Sequence, residues 1–361
     1  KQTIPINDVL LSILINRGYD TFEKAKDFFR PELKHLHDPF LMTGMAAAVD
    51  QIMIAMATKQ KILIYGDYDV DGTTAVSLMY LFFDEVLIYK NIGFYIPDRY
   101  SEGYGISFKG IDYAADNDFS LIIALDCGVK AIDKVEYARK LNINFIICDH
   151  HLPGDELPKA IAMLNPKQPN CSYPFKELSG CGIGFKLCQA LCMVQGIPME
   201  RAYHYLDLVT VSTCSDIVPI VGENRTLVFY GLKRINEGPG VGLSHLLKNA
   251  GVTRKNLTVE DVVFIIGPRI NAAGRLKHGS MAVELLTGRI DEEMIEQSLA
   301  LNKNNEDRKE IDKKITLEAL EIIRNDENYH QKKTTVVYNE NWHKGVVGIV
   351  AVFVKIGRAH V

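Results

Sequence analysis

The stretch Lys61-Ile62-Leu63-Ile64-Tyr65-Gly66-Asp67-Tyr68-Asp69-Val70-Asp71-Gly72 joins a short apolar run to three aspartates at alternate positions. A run that is apolar at both parities suits a central strand of a parallel sheet, whose two faces are both covered. The arrangement recurs downstream. Leu121 to Leu125 leads into Asp126-Cys127-Gly128, and Asn144 to Cys148 leads into Asp149-His150-His151. Helical stretches are expected from Thr73, Ala131 and Gly184, so strands and helices alternate. The pattern predicts an α/β fold, a mostly parallel sheet with helices on both faces. Ligands of such sheets lie beyond the carboxyl ends of the strands, where this sequence places its acids.

Upstream, Asn7 is suited to cap a helix running to Gly18, and Phe22 to Phe29 reads as another. Arg30-Pro31 and Asp38-Pro39 break the chain before a helix from Met45, carried by Val49, Ile52, Met53 and Met56. Downstream, residues 291 to about 325 form a long charged segment with scattered apolar positions, a connecting helix. Thr334-Thr335-Val336-Val337-Tyr338 is expected to begin a strand of a second α/β domain. The expected organisation is an N-terminal helical extension (1–45), a catalytic domain (46–290), the connecting helix (291–330) and the cut-short start of a further domain (331–354). Residues 355–361, Lys-Ile-Gly-Arg-Ala-His-Val, read like a translated sequencing-adapter segment and are expected to be foreign to the protein.

With 361 residues, 47% hydrophobic and 24% charged, the composition is that of a globular enzyme. Nothing resembles a signal peptide or the roughly 20 apolar residues of a membrane span, so the cytoplasm is the expected compartment. The seven cysteines contain no C-x-x-C pair, which argues against structural zinc and disulfides alike. A net charge of −4 speaks against a nucleic-acid coat protein but leaves room for a nucleic-acid enzyme with an acidic metal site.

Asp67, Asp69 and Asp71 concentrate like charge that divalent cations would make tolerable. An EF-hand loop is excluded, because the twelfth residue counted from Asp67 is Leu78 and a strand precedes the motif. Asp126 at a strand end reads by itself more often as a helix cap than as a ligand. His150 and His151 at a strand–loop junction are able to turn into one cleft, and Asp149 is placed to orient a ring. Asp216, in Cys214-Ser215-Asp216-Ile217-Val218-Pro219, follows a helix-like stretch from Leu206 to Thr213. An anion at a helix C-terminus is disfavoured by a few tenths to ~1 kcal/mol, a cost that a cation would offset.

Taken in order, D-x-D-x-D-G, a strand-end Asp, D-H-H and a later Asp resemble the motifs of the DHH phosphoesterase superfamily over roughly residues 45–219. The resemblance implies a site for two Mn2+ or Mg2+ ions. Asp69 would bind one, with Asp67 nearby; Asp71, His150 and Asp216 would hold the other, and Asp126 would bridge both. His151 would face the scissile phosphate and Asp149 would support the histidines. Oxygen ligands with one imidazole suit these metals.

Within the superfamily, three segments resemble the RecJ-type exonucleases. They are Arg99-Tyr100-Ser101-Glu102-Gly103-Tyr104-Gly105, the stretch Gly267-Pro268-Arg269-Ile270-Asn271-Ala272-Ala273-Gly274-Arg275-Leu276, and Trp342 to Ala351. The last looks like the opening of the family's accessory (DHHA1) domain. The resemblance implies 5′→3′ hydrolysis of single-stranded DNA to 5′-mononucleotides in recombination and repair, with a single-strand-binding protein and a RecQ-type helicase as partners. Arg99, Arg269, Asn271 and Arg275 are candidate phosphate contacts, and Tyr104 offers a ring for base stacking. Two other readings stand beside it: a phosphodiesterase of short oligonucleotides or cyclic dinucleotides, and a catalytically silent DNA-binding scaffold.

Overall fold

In a computed structural model of the chain, residues 6–253, 255–326, 332 and 334–358 are described. The extension forms α1 (Asp8–Asn16), capped as its sequence suggests by Asn7 accepting from the Val9 N–H, and α2 (Phe22–Phe29), capped by Thr21, which accepts from the Lys24 N–H. After α3 (Met45–Ala57), the chain enters β1 (Lys61–Gly66), α4 (Val70–Leu81), β2 (Ile92–Tyr95), α5 (Phe108–Asp116), β3 (Phe119–Leu125), α6 (Ile132–Lys140), β4 (Asn144–Cys148) and β5 (Ala162–Leu164). These strands make a sheet in the order β2-β1-β3-β4-β5, parallel throughout.

Both faces of the strands are covered. Ile62, Ile64, Ile123, Leu125 and Ile146 join one core with Val49 and Ile52 of α3 and Val76 of α4. Leu63, Tyr65, Ile122, Phe145 and Ile147 join another with Ile111 of α5 and Val135 of α6. Alternate residues therefore pack on opposite sides, which is why the strands are apolar at every position. The chain order reverses between β1 and β3, and a cleft opens beyond their carboxyl ends. A helical layer follows: α7 (Gly180–Gln195), α8 (Glu200–Tyr203), α9 (Leu206–Ser215) and α10 (Gly222–Glu237), then the helix Gly267–Leu276 and the long helix Asp291–Arg324. No single helix among the described residues is long and apolar enough to cross a membrane.

Four features differ from the sequence expectation. Helix α4 starts at Val70 rather than Thr73, because Asp69 caps it by accepting from Gly72 N at 3.1 Å. Helix α7 starts four residues early, capped by Ser179, which accepts from Gly182 N at 3.1 Å. Strands β2 and β5 carry too little periodic signal to be read, since β2 is half-buried at every position and β5 has three residues. Residues 334–338 form no ladder among the described residues, because a strand needs a neighbour's backbone groups. Val337 and Trp342 instead flank a small core of Ile315, Ala319, Val346 and Val350. The anticipated tail at 355–361 lies outside the residues whose side chains are described.

A buried ion pair ties the segment before α3 to the helical layer. The Lys186 Nζ donates to Glu223 Oε1 at 2.8 Å and to the His37 carbonyl at 2.6 Å. Glu223 also accepts from His37 N at 3.0 Å and from the Tyr173 hydroxyl at 2.7 Å. Both charged side chains are fully buried, so removing one strands the other. Lys186→Met is expected to destabilise the chain by about 3–5 kcal/mol in urea unfolding, with much of the loss recovered in Lys186→Met/Glu223→Leu. A single variant as stable as the parent would show that the pair does not hold the two parts together.

Candidate metal centre

Each acid at the rim is placed by a local device. Asp71 lies in the first turn of α4, and its carboxylate reaches the N-terminus of α7. It accepts from Gly180 N at 2.6 Å, Cys181 N at 2.8 Å and Ser212 Oγ at 2.6 Å. The helix N-terminus favours the anion. Asp126 follows β3 with φ +60°, an uncommon conformation for a non-glycine residue. Its N–H donates to the Cys148 carbonyl at 2.8 Å, which continues the β3–β4 ladder past the strand end and fixes the turn. Gly180 packs so closely on it that a Cβ there would stand 2.5 Å from the Asp126 Cβ. Asp67 accepts from Gly105 N at 3.3 Å, while Asp69 is occupied in capping α4.

The side chains converge on His150. Its Nε2 lies 3.2 Å from Asp126 Oδ1, 3.5 Å from Asp216 Oδ2 and 3.8 Å from Asp71 Oδ2. Two groups, Asp71-His150-Asp216 and Asp126-His150-His151, have their ligand atoms within 4.8 Å of one another. Asp67 and Asp69 belong to neither group. Asp67 Oδ2, Asp126 Oδ1, Asp216 Oδ2 and both ring nitrogens of His150 are buried without a hydrogen-bond partner. Orphaned polar atoms are rare inside proteins, and several around one point mark a site suited to a cation.

The electrostatics agree. Burial, then the neighbouring Asp69, pushes Asp67 up to about 7. Burial, then Asp71 and Asp69, pushes Asp216 up to about 8. Asp126 is raised for the same reasons, burial first and Asp71 next. Burial holds the His150 imidazole toward its neutral, ligating form. A divalent ion removes the repulsion, and a donor set of oxygens with an imidazole fits Mg2+ or Mn2+.

Asp149 and His151 form a separate pair. Asp149 Oδ1 lies 2.7 Å from His151 Nδ1 and accepts from His151 N at 3.0 Å, while its Oδ2 accepts from Val129 N at 2.8 Å. Burial raises the Asp149 carboxyl, but His151 and these N–H groups outweigh it and leave it low. The same hydrogen bond raises His151. Its Nε2 sits 3.1 Å from the Tyr104 hydroxyl, so Tyr104 meets the histidine besides offering an exposed ring.

The other sequence candidates are spread around this centre. Arg99 lies over the Tyr68 ring, 4.8 Å from its centroid. Asn271 Oδ1 accepts from Val70 N at 3.1 Å and thereby holds the aspartate-rich turn. Arg269 is tied into the scaffold, donating to Asn302 Oδ1 at 2.9 Å and to the Ile265 carbonyl at 2.8 Å. Arg275 donates to the Gly345 carbonyl at 2.9 Å, while its own carbonyl accepts from Tyr100. Ser212 and Gly180 gave no sequence signal, since one is a serine inside an apolar helix and the other needs to be small only because Asp126 abuts it.

Residues 61–213 match the model of the DHH family, N-terminal domain. The single-stranded-DNA-specific exonuclease RecJ of Bacillus subtilis is 38% identical over 350 residues, covering 97% of this chain and 43% of that protein. A crystal structure of exonuclease RecJ bound to manganese superimposes with a TM-score of 0.78 at 28% identity, over 90% of this chain and 79% of that one. RecJ from Thermus thermophilus in complex with Mn2+ gives 0.79 at 27% identity, over 95% and 48%. The chain thus spans less than half the length of its Bacillus relative.

The raised carboxyls set a pH dependence. Asp67 and Asp216 bind protons more tightly in the folded chain than in the unfolded one, so the folded state holds extra protons from about pH 4 up to about pH 8. Stability of the metal-free chain contributed by these groups therefore falls as pH rises through that window. The thermal midpoint without metal is expected to drop between about pH 5 and about pH 8, less steeply in Asp216→Asn, and Mn2+ is expected to restore it mainly at the higher pH. A midpoint indifferent to Mn2+ at both pH values would speak against a metal centre here.

Proposed function

The chain belongs to the DHH family, and on that premise we propose that it is the catalytic core of a single-stranded-DNA-specific 5′→3′ exonuclease releasing 5′-mononucleotides in recombination and repair. The observation that carries the reading is the buried His150 ringed by Asp126, Asp216 and Asp71 with unpartnered atoms facing one another. In this reading Asp71, His150 and Asp216 would hold one Mn2+ or Mg2+, Asp69 with Asp67 would hold a second, and Asp126 would serve both. When bound, the ions would supply Lewis acidity at the phosphoryl oxygens and an acidified water as nucleophile.

The protein's own groups do the positioning. Asp149 fixes the His151 ring through Nδ1 and raises its affinity for a proton, so Nε2 is prepared to donate to a non-bridging phosphate oxygen. The carboxylate of Asp71 is held by two backbone N–H groups and a serine, which keeps its orientation independent of substrate. Asn271 secures the aspartate-rich turn from behind. Arg99, over Tyr68 of the aspartate-rich turn, would meet a phosphate, and Arg269 and Arg275 would contribute such contacts only through donors their scaffold bonds leave over. Residues 46–290 form the catalytic unit in this reading, 291–330 the connecting helix, and 331–354 the opening of the accessory domain. A single-strand-binding protein, a RecQ-type helicase and the cytoplasm complete it, supported by the family resemblance alone.

Asp126→Ala is expected to abolish cleavage of labelled single-stranded DNA in Mn2+ while leaving DNA binding intact or tighter, measured by gel assay and fluorescence anisotropy. Substrates blocked at one terminus test polarity, with a blocked 5′ end expected to stop degradation. Full turnover in the variant, or preference for a dinucleotide over a long strand, would overturn the assignment.

A further inference from the structure

Ile217 carries two costs at once. It has φ +60°, a left-handed conformation that is strained for a β-branched residue, and it is 91% exposed. The backbone there is the familiar stop after a helix, since α9 ends with Asp216 as its C-cap. Glycine normally fills the next position without strain. An isoleucine in water gains no burial in return. Two further apolar side chains stand exposed beside the same centre: Leu152, 69% exposed, follows His151, and Tyr104, 56% exposed, touches it through its hydroxyl. Asp216 and His151 belong to the cluster around His150, so the peptide bonds to Ile217 and Leu152 place both at its edge.

We propose that Ile217 and Leu152, with the ring of Tyr104, form an apolar collar around the acidic centre that packs against the nucleobases flanking the scissile phosphate. This rests on the exonuclease reading and names how that site grips its strand. Apolar contacts to base faces are indifferent to sequence, as an exonuclease requires, because every base has a face to offer. They also place affinity where charge does not help, since the centre itself repels phosphates until cations are bound. The collar seats a base on each side of the bond, and contact with the strand is what offsets the strain at Ile217.

Two variants separate the side chain from the strain. Ile217→Asn relieves the left-handed strain and removes the apolar contact; Ile217→Ala removes the contact and relieves only the part of the strain due to β-branching. Steady-state hydrolysis in Mn2+ is compared on an oligothymidylate and on the same strand with abasic sites at its two 5′-terminal nucleotides. Both variants are expected to raise KM about five- to tenfold on the ordinary strand and less than about twofold on the abasic one. The thermal midpoint should rise by about 2 °C in Ile217→Asn and by less in Ile217→Ala. An unchanged KM on the ordinary strand, or an equal rise on both strands, overturns the collar. Absence of cleavage of any single strand by the parent chain overturns the exonuclease reading, and the collar with it.

Discussion

Several carboxylates and an imidazole are crowded into a buried rim, and the rest of the structure is arranged around the cost of that crowding. Asp71 is held by the N-terminus of α7 and the hydroxyl of Ser212, and Asp149 by His151 and the Val129 N–H. Asp67 has only the long bond from Gly105 N, burial and neighbouring acids outweigh it, and the proton affinities of Asp67, Asp126 and Asp216 rise. The imbalance is what a cation resolves: oxygen atoms without partners are ligands in waiting, while the bonds to Asp71 fix the orientation of a ligand and those to Asp149 fix the His151 ring.

The parallel sheet makes the crowding possible. Chain reversal between β1 and β3 leaves a cleft at their carboxyl ends, into which Asp67 and Asp126 emerge from neighbouring strands. The next strand, β4, delivers Asp149, His150 and His151 to the same rim, and α9 brings Asp216 from the other side. Close packing sharpens the geometry. Gly180 lets α7 press against Asp126, and Gly274 lets the helix Gly267–Leu276 lie on the Tyr68 carbonyl, 2.3 Å from where a Cβ would stand. That helix also presents Asn271 to the aspartate-rich turn, so a segment singled out for its arginines acts largely as a support.

Much of this is legible in the residue order. The three strands that carry chemistry and the helix start set by Asn7 can be read from periodicity and residue type, while the acids and histidines of the centre stand out as one set only through the ordered motif they share with the DHH family. Strands β2 and β5 cannot be read, because an edge strand half in water and a three-residue strand have no repeating pattern to detect. The early starts of α4 and α7 are hidden because Asp69 and Ser179 act as caps only once Gly72 and Gly182 present their N–H groups. Arg269 looks like a phosphate contact in sequence, whereas Asn302, on a helix far along the chain, engages its Nε.

The amino-acid order by itself determined the alternation of strand and helix, the side chains available at each strand end, and hence the class of ion and chemistry they suit. Tertiary structure alone decided which of those atoms meet, which are left without partners, and which are braced by Ser212, Gly180 or Lys186. The reason is physical: periodicity and capping are local properties of consecutive residues. Burial, unpaired polar atoms and like-charge repulsion instead arise only when segments separated by scores of residues are folded into the same few ångströms.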